Sequence, residues 1–253
     1  MIGLAAYSAV FSRAVPGLED LAGIDVCGPQ ERAKNRSAIA VYAEQAVARM
    51  APDPMGLGLV CLSGPCGPMV DAFDKAWQRS PDGSLTGPGF GAHRAKRIHP
   101  FTLLRSLQNQ VPAILSMNLG ITGPCINALD SATGLACLLP NIAAQLTRCR
   151  AILLVMAAAG EGLEEGSKRK ARVPGASGLE GAICLLLTRD AALGTLELAQ
   201  PDRDCRPAVE DLAAPVLAPG VTLLRHLALG SQEALITNTD ESGFQSAVFW
   251  RQH

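Results

Sequence analysis

The chain has 253 residues, a formal net charge of −1, 48% hydrophobic residues and only 4% aromatics. This length can bury a sizeable core and predicts one compact α/β domain over residues 1–253, its interior built from Ala, Leu, Val and Ile. Lys and Arg are scattered rather than gathered into a basic stripe, so the composition excludes the usual nucleic-acid footprint.

In chain order, residues 1–17 lack a basic leader and a long apolar run, and read as a first strand and loop rather than a signal peptide. Helical spacing covers 33–50 and stops at Pro52 and Pro54. Residues 56–63 (GLGLVCLS) form a short apolar run bounded by turn residues, the pattern of a buried strand. A turn at 64–68, a helix at 69–78 and a Gly/Pro/Ser-rich loop at 80–91 follow. A helix over 101–118 is expected to break or kink near Pro112. Gly123 and Pro124 open an extended run at 125–129, and a helical pattern occupies 130–146. Strands are expected at 151–157 and 181–188, and a last one within 235–251. Residues 201–219 are polar and Pro-containing, and read as a surface excursion. The basic run 167–172 (SKRKAR) reads as a solvated loop in preference to a dock for an acidic partner. Strands alternating with helices predict a layered α/β fold. The longest apolar stretch, 151–160, is too short to span a bilayer.

The eight cysteines, at 27, 61, 66, 125, 137, 149, 184 and 205, form no C-x-x-C pair. Several lie in apolar runs, as small buried hydrophobes do, which predicts a reduced, cytoplasmic protein. The four histidines are scattered, so neither a metal site nor any cofactor is expected. Gly56 and Gly58 lack the third glycine of a dinucleotide fingerprint. Cys66 and Cys125 each sit beside a Gly-Pro turn and could be nucleophiles of an acyltransferase or hydrolase. No His or Asp at readable spacing completes either pair, so both read as structural. No G-x-S-x-G elbow occurs.

The segment Asp130-Ser131-Ala132-Thr133-Gly134 lies between a strand and a helix. A residue delivered to a helix N-terminus meets free N–H groups and the positive end of the dipole, which favours developing negative charge. Alternatively, Asp130 or Ser131 simply caps the helix.

The wider context, His99-Pro100-Phe101, then Gln108-Asn109-Gln110, then Leu119-Gly120-Ile121-Thr122-Gly123-Pro124, resembles the β-ketoacyl synthase family. There a similar opening leads along a strand to an elbow reading Asp-Thr-Ala-Cys. Residues 152–160, 181–185 and 238–247 resemble, in order, the family's glycine-ended strand, its Gly-Ala segment and a worn form of its closing Gly-Phe-Gly-Gly-x-Asn loop. The resemblance implies a thiolase-like (ketosynthase) fold with a mixed sheet and a truncated second half.

Two departures bear on activity. Thr133 stands where the family carries its nucleophilic cysteine, and a one-residue shift of register would offer only Ala132 or Gly134. Ser131 is the other hydroxyl nearby. The two histidines of the family's second half have no counterpart, since His226 matches neither motif and His93 and His99 precede the elbow. Condensation activity on its own is therefore not expected. The resemblance implies instead a chain length factor, the inactive subunit that pairs with an active ketosynthase in aryl polyene, polyketide or fatty-acid-type biosynthesis and limits chain growth on an acyl carrier protein. It places the interface and tunnel wall at Gln108, Val111, Leu115, Met117, Leu119 and Leu129, with a homodimer as the other possible assembly. Those residues could equally fill the chain's own core. The remaining readings are a stand-alone acyltransferase or hydrolase with another nucleophile, and a non-catalytic interaction module.

Overall fold

A computed structural model describes residues 2–30, 36–63, 109–129, 133–159, 179–190, 192–200, 216–239 and 244–253. Its elements run β1 (Ile2–Phe11), β2 (Ile24–Val26), α1 (Ala38–Met50), β3 (Leu57–Ser63), α2 (Gln110–Leu119), β4 (Cys125–Leu129), α3 (Gly134–Gln145), β5 (Ala151–Ala158), β6 (Gly181–Thr188), β7 (Gly194–Ala199), α4 (Ala218–Ala228), β8 (Glu233–Thr239) and β9 (Gln245–Gln252). The strands form one mixed sheet in the order β4-β3-β5-β6-β1-β7-β9-β8, with β2 beside β1. β3 pairs in parallel with β4 and β5, while β6 is antiparallel to both β5 and β1.

The central strands are apolar on both faces because helices cover both. Leu57, Leu59, Cys61, Leu153, Val155 and Cys184 face α1 and α2. Val60, Leu62, Ile152, Leu154, Met156, Ile183 and Leu185 face the other way, onto α3 and α4. On β1 the inward parity changes: Ile2 and Leu4 face α3, and after an irregularity between Leu4 and Ala6 it is Ala9 and Phe11 that do. A one-residue bulge has that effect, since side chains alternate with period two. β7, β9 and β8 continue the sheet past the start of β1, and their inner residues Leu196, Trp250, Val248 and Ile236 close the same core from the far side. This smaller lobe covers one flank of α3 and leaves Cys137, Pro140, Asn141 and Ala144 exposed along the helix.

The expected elements that fall on the described residues are present, several with shifted ends; residues 101–108 of the helix expected over 101–118 lie outside them. α1 begins at 38 because Ser37 caps it, its Oγ accepting from the Ala40 N–H at 3.3 Å. Pro112 sits in the first turn of α2, where a missing N–H breaks no helical bond, so it ends up as a helix-start residue and not a kink. Three expectations are corrected. Residues 216–219 are not part of a surface excursion: Val216, Leu217 and Pro219 are buried at the start of α4. The C-terminal stretch is a hairpin of two strands rather than one strand. β7 and α4 were not foreseen; among the described residues, the part of the chain after β6 is a lobe of three strands and a helix. The expected helix at 69–78, the loop at 80–91 and the basic run at 167–172 lie outside the described residues.

Candidate functional site

The elbow is built where β4 ends and α3 begins. Thr133 is the N-cap residue of α3, 3% exposed, with helical backbone angles and no side-chain bond back to the helix. Gly134 opens the helix against β3: a Cβ there would stand 2.8 Å from Leu62 Cδ2, so only glycine lets α3 approach this closely. Asp130 and Ser131 lie outside the described residues.

A second helix start lies over the same part of the sheet. On α4, a Cβ at Gly220 would stand 2.7 Å from Met156 Cε and 2.8 Å from Ile183 Cδ1. Leu62, Met156 and Ile183 are successive partners across β3, β5 and β6, so both close-packed glycines rest on one row of the sheet. Leu217 caps α4 without a side-chain bond. The chain then reverses at 229–232 into β8, with the Ser231 N–H donating to the His226 carbonyl at 2.9 Å. Counting back from that turn, Gly220 and Leu217 lie about 14–18 Å along the helix, at ~1.5 Å per residue. Asn238 lies about 17 Å along β8, at ~3.3 Å per residue. The start of α4 is thus level with the end of the β8–β9 hairpin, where Asn238 is paired with Ser246 across the strands. Both face inward with Ile236 and Val248; Asn238 is 8% and Ser246 6% exposed, and the Ser246 Oγ has no hydrogen-bond partner. Sequence reading missed α4 and this polar pair; the one available signal was the resemblance of 238–247 to a closing loop.

Four described thiols, Cys27, Cys61, Cys125 and Cys184, are shifted away from the thiolate. Burial raises the Cys61 thiol well above its ordinary value and pushes Cys184 up to about 12. Cys125 on β4 is also raised, mainly by desolvation, and Cys27 likewise. A nucleophilic cysteine needs the opposite shift. His226 sits near the far end of α4 with Nδ1 3.3 Å from Ser231 Oγ, away from both helix starts. Cys66, His93 and His99 lie outside the described residues.

The residues expected at an interface divide. Val111 and Leu115, 1% and 2% exposed, pack into this chain's own core with Leu57, Leu59 and Cys61. Met117 is 73% exposed, and Leu119 is half-buried beside it. α2 is fastened to α1 at both ends, by the Ser37 N–H donating to Gln110 Oε1 at 2.8 Å and by Asn118 Nδ2 donating to Glu44 Oε1 at 2.6 Å. On the outer side of α2, Ala113 and Met117 are exposed. Leu129 ends β4, an edge strand that among the described residues pairs with β3 alone. Gln108 lies outside the described residues. Among the described residues, no helix is long and apolar enough to cross a membrane.

No protein-family model and no curated protein matches the sequence. Solved structures do match over the full length. A chain of the ketosynthase ApeO in complex with its chain length factor ApeC from Xenorhabdus doucetiae aligns over 99% of this chain and 98% of its own, at 11% identity and a TM-score of 0.59. A chain of the ishigamide ketosynthase/chain length factor aligns over 99% of both at 13% identity, TM-score 0.63. A chain of AntDE:AntF, a type II polyketide acyl carrier protein in complex with its ketosynthase, covers 100% of this chain and 99% of that one at 12% identity, TM-score 0.65. The chain thus has the thiolase-like fold found in ketosynthase and chain length factor complexes, as the resemblance of its motifs implied.

Proposed function

We propose that this chain is a non-condensing, ketosynthase-like subunit, a chain length factor that pairs with an active ketosynthase acting on an acyl carrier protein. The observation that carries the reading is the elbow: a thiolase-like fold whose α3 begins at a buried Thr133, where a condensing enzyme needs a thiolate. A threonine hydroxyl has no accessible anion at neutral pH without a base, and the described residues around the two helix starts supply none. β4, which among the described residues pairs on one side only, and the face of α2 with the exposed Met117 suit a partner, since a free strand edge offers a row of backbone donors and acceptors to a second sheet. Aryl polyene or type II polyketide assembly is the setting most consistent with the fold neighbours.

Co-expression with a partner ketosynthase and a carrier protein tests the reading, by native mass and by product length. A one-to-one complex whose product shortens when Met117 is replaced by Trp is the expected result. A monomer or self-dimer that ignores the ketosynthase would refute it.

A further inference from the structure

We infer that Gln110 and Asn118 are positioning residues: their bonds to the α1 region set the register of α2, and with it the place at which Met117 meets a partner. The apolar packing of α2 does not fix that register by itself. Its buried stripe is Val111 and Leu115, one turn apart, in a cluster with Leu57, Leu59 and Cys61. Advanced by one turn, about 6 Å, the same seat would receive Leu115 and Leu119, side chains equally apolar. α1 adds Ala40, Ala43, Ala46 and Val47 to that cluster, small groups that resist a slide poorly. Cores of interchangeable aliphatic residues lose uniqueness of packing before they lose stability.

Directional bonds do what the apolar contacts cannot, because a slide breaks them. Gln110 opens α2, is 7% exposed, and accepts from the Ser37 N–H at 2.8 Å. Ser37 is itself fixed, since its Oγ caps α1. At the other end Asn118 donates to Glu44 Oε1 at 2.6 Å, and Glu44 Oε2 is held by Arg36 Nε at 3.0 Å. The two pins stand about 12 Å apart along the axis, at ~1.5 Å per residue, so together they fix both slide and rotation. Buried polar bonds of this kind contribute little net stability but select one packing over its neighbours. Met117 is next to the second pin, so any error of register there displaces it from the partner-facing surface. The consequence for assembly rests on the proposed pairing; the placement of α2 within this chain does not.

The first test reads the δ1-methyl signals of 13C-labelled isoleucine in the full chain alone, with Ile114 of α2 assigned through Ile114→Val. Ile114 packs against the same cluster, so its signal reports the seat of the helix. The parent is expected to give one sharp Ile114 signal. Asn118→Ala should broaden or split it, and Gln110→Leu/Asn118→Ala more so, while Ile183, buried on the opposite face of the sheet, keeps its signal and reports an intact fold. An unchanged Ile114 signal in the double variant would overturn the inference; if that variant does not fold, Asn118→Ala, at an exposed residue, decides alone. The second test is a cycle read as affinity for the partner ketosynthase. Asn118→Ala and Glu44→Ala should each weaken the complex about tenfold, and the pair no further, because both cut one bond. Additive losses would overturn the positioning role of Asn118 and show it touching the partner directly. A parent chain that forms no complex refutes the pairing alone and leaves the Ile114 signal to decide the register.

Discussion

Leu115 and Met117 are two residues apart on α2, and the structure gives them opposite duties. Leu115 is 2% exposed in the core between α2 and the sheet, whereas Met117 stands out from the helix at 73%. Leu115→Ala deletes a packed side chain and should cost about 2–5 kcal/mol. At roughly 2–4 °C per kcal/mol for a chain of this size, a 3 kcal/mol loss lowers the melting temperature by about 6–12 °C. Met117→Asp touches no core residue and should stay within about 0.5 kcal/mol of the parent. The same substitution places a charge in the middle of the proposed partner surface and should abolish a stable complex, since buried interfacial charges without a partner cost several kcal/mol. Differential scanning fluorimetry reads the first quantity and native mass spectrometry of the co-expressed pair reads the second. The reasoning is refuted if Met117→Asp leaves the complex intact, because the α2 face then does not meet the partner. It is equally refuted if Leu115→Ala leaves the melting point unchanged, because the buried core assignment would then be wrong.

Gly220→Val should be destabilising by about 1–3 kcal/mol, since its side chain would drive Met156 and Ile183 from their places, and denaturant unfolding measures it. Tyr42→Phe should cost about 1–3 kcal/mol by the same measurement: its hydroxyl lies 3.2 Å from both the Gly28 carbonyl and Glu180 Oε2, and accepts from the Gln30 N–H at 2.9 Å. The buried thiol of Cys184 keeps its proton up to about pH 12 in the folded chain, above its ordinary value of 9.0. Its contribution is therefore complete below about pH 9 and declines as pH rises from there toward 12. Alkaline unfolding should accordingly begin later in Cys184→Ala than in the parent. Iodoacetamide on the native protein should label the exposed Cys125 and Cys137, and reach Cys61, Cys149 and Cys184 only after unfolding. Mass mapping of the modified peptides checks the order.

The first half of the fold was legible in the sequence because its strands are continuous apolar runs closed by glycine and proline. Strands β4 and β6 fall on the residues expected, Cys125–Leu129 and Gly181–Thr188. α4 was hidden because its start, Ala218-Pro219-Gly220, reads as a turn. The proline is tolerated in the first helical turn and the glycine is there for close packing on Met156. β7 (GTLELA) is too short and half-exposed to give a periodic signal. At the site, the absence of a cysteine from the elbow could be read directly. The placing of both helix starts on one row of the sheet could not, because it arises from contacts between residues far apart in sequence, Gly134 with Leu62 and Gly220 with Met156.

Restoring a thiol at the elbow distinguishes a missing nucleophile from a missing active site. In Thr133→Cys the new thiol would stand at the start of α3, where the helix dipole favours the thiolate and burial opposes it. Condensation needs more than that thiol: a base to generate the carbanion and donors to hold the developing oxyanion. The two helix starts offer donors, but the described groups packed there, Leu62, Met156, Ile183, Val216 and Leu217, do not titrate. The expected outcome is a variant that reacts with an electrophilic acyl probe at position 133 and still forms no carbon–carbon bond. Acyl transfer without condensation would locate the lost function in the bases as well as the nucleophile. Condensing activity in Thr133→Cys alone would mean that a base reaches the elbow from another part of the chain or from the partner, and that this subunit lost its chemistry by a single substitution.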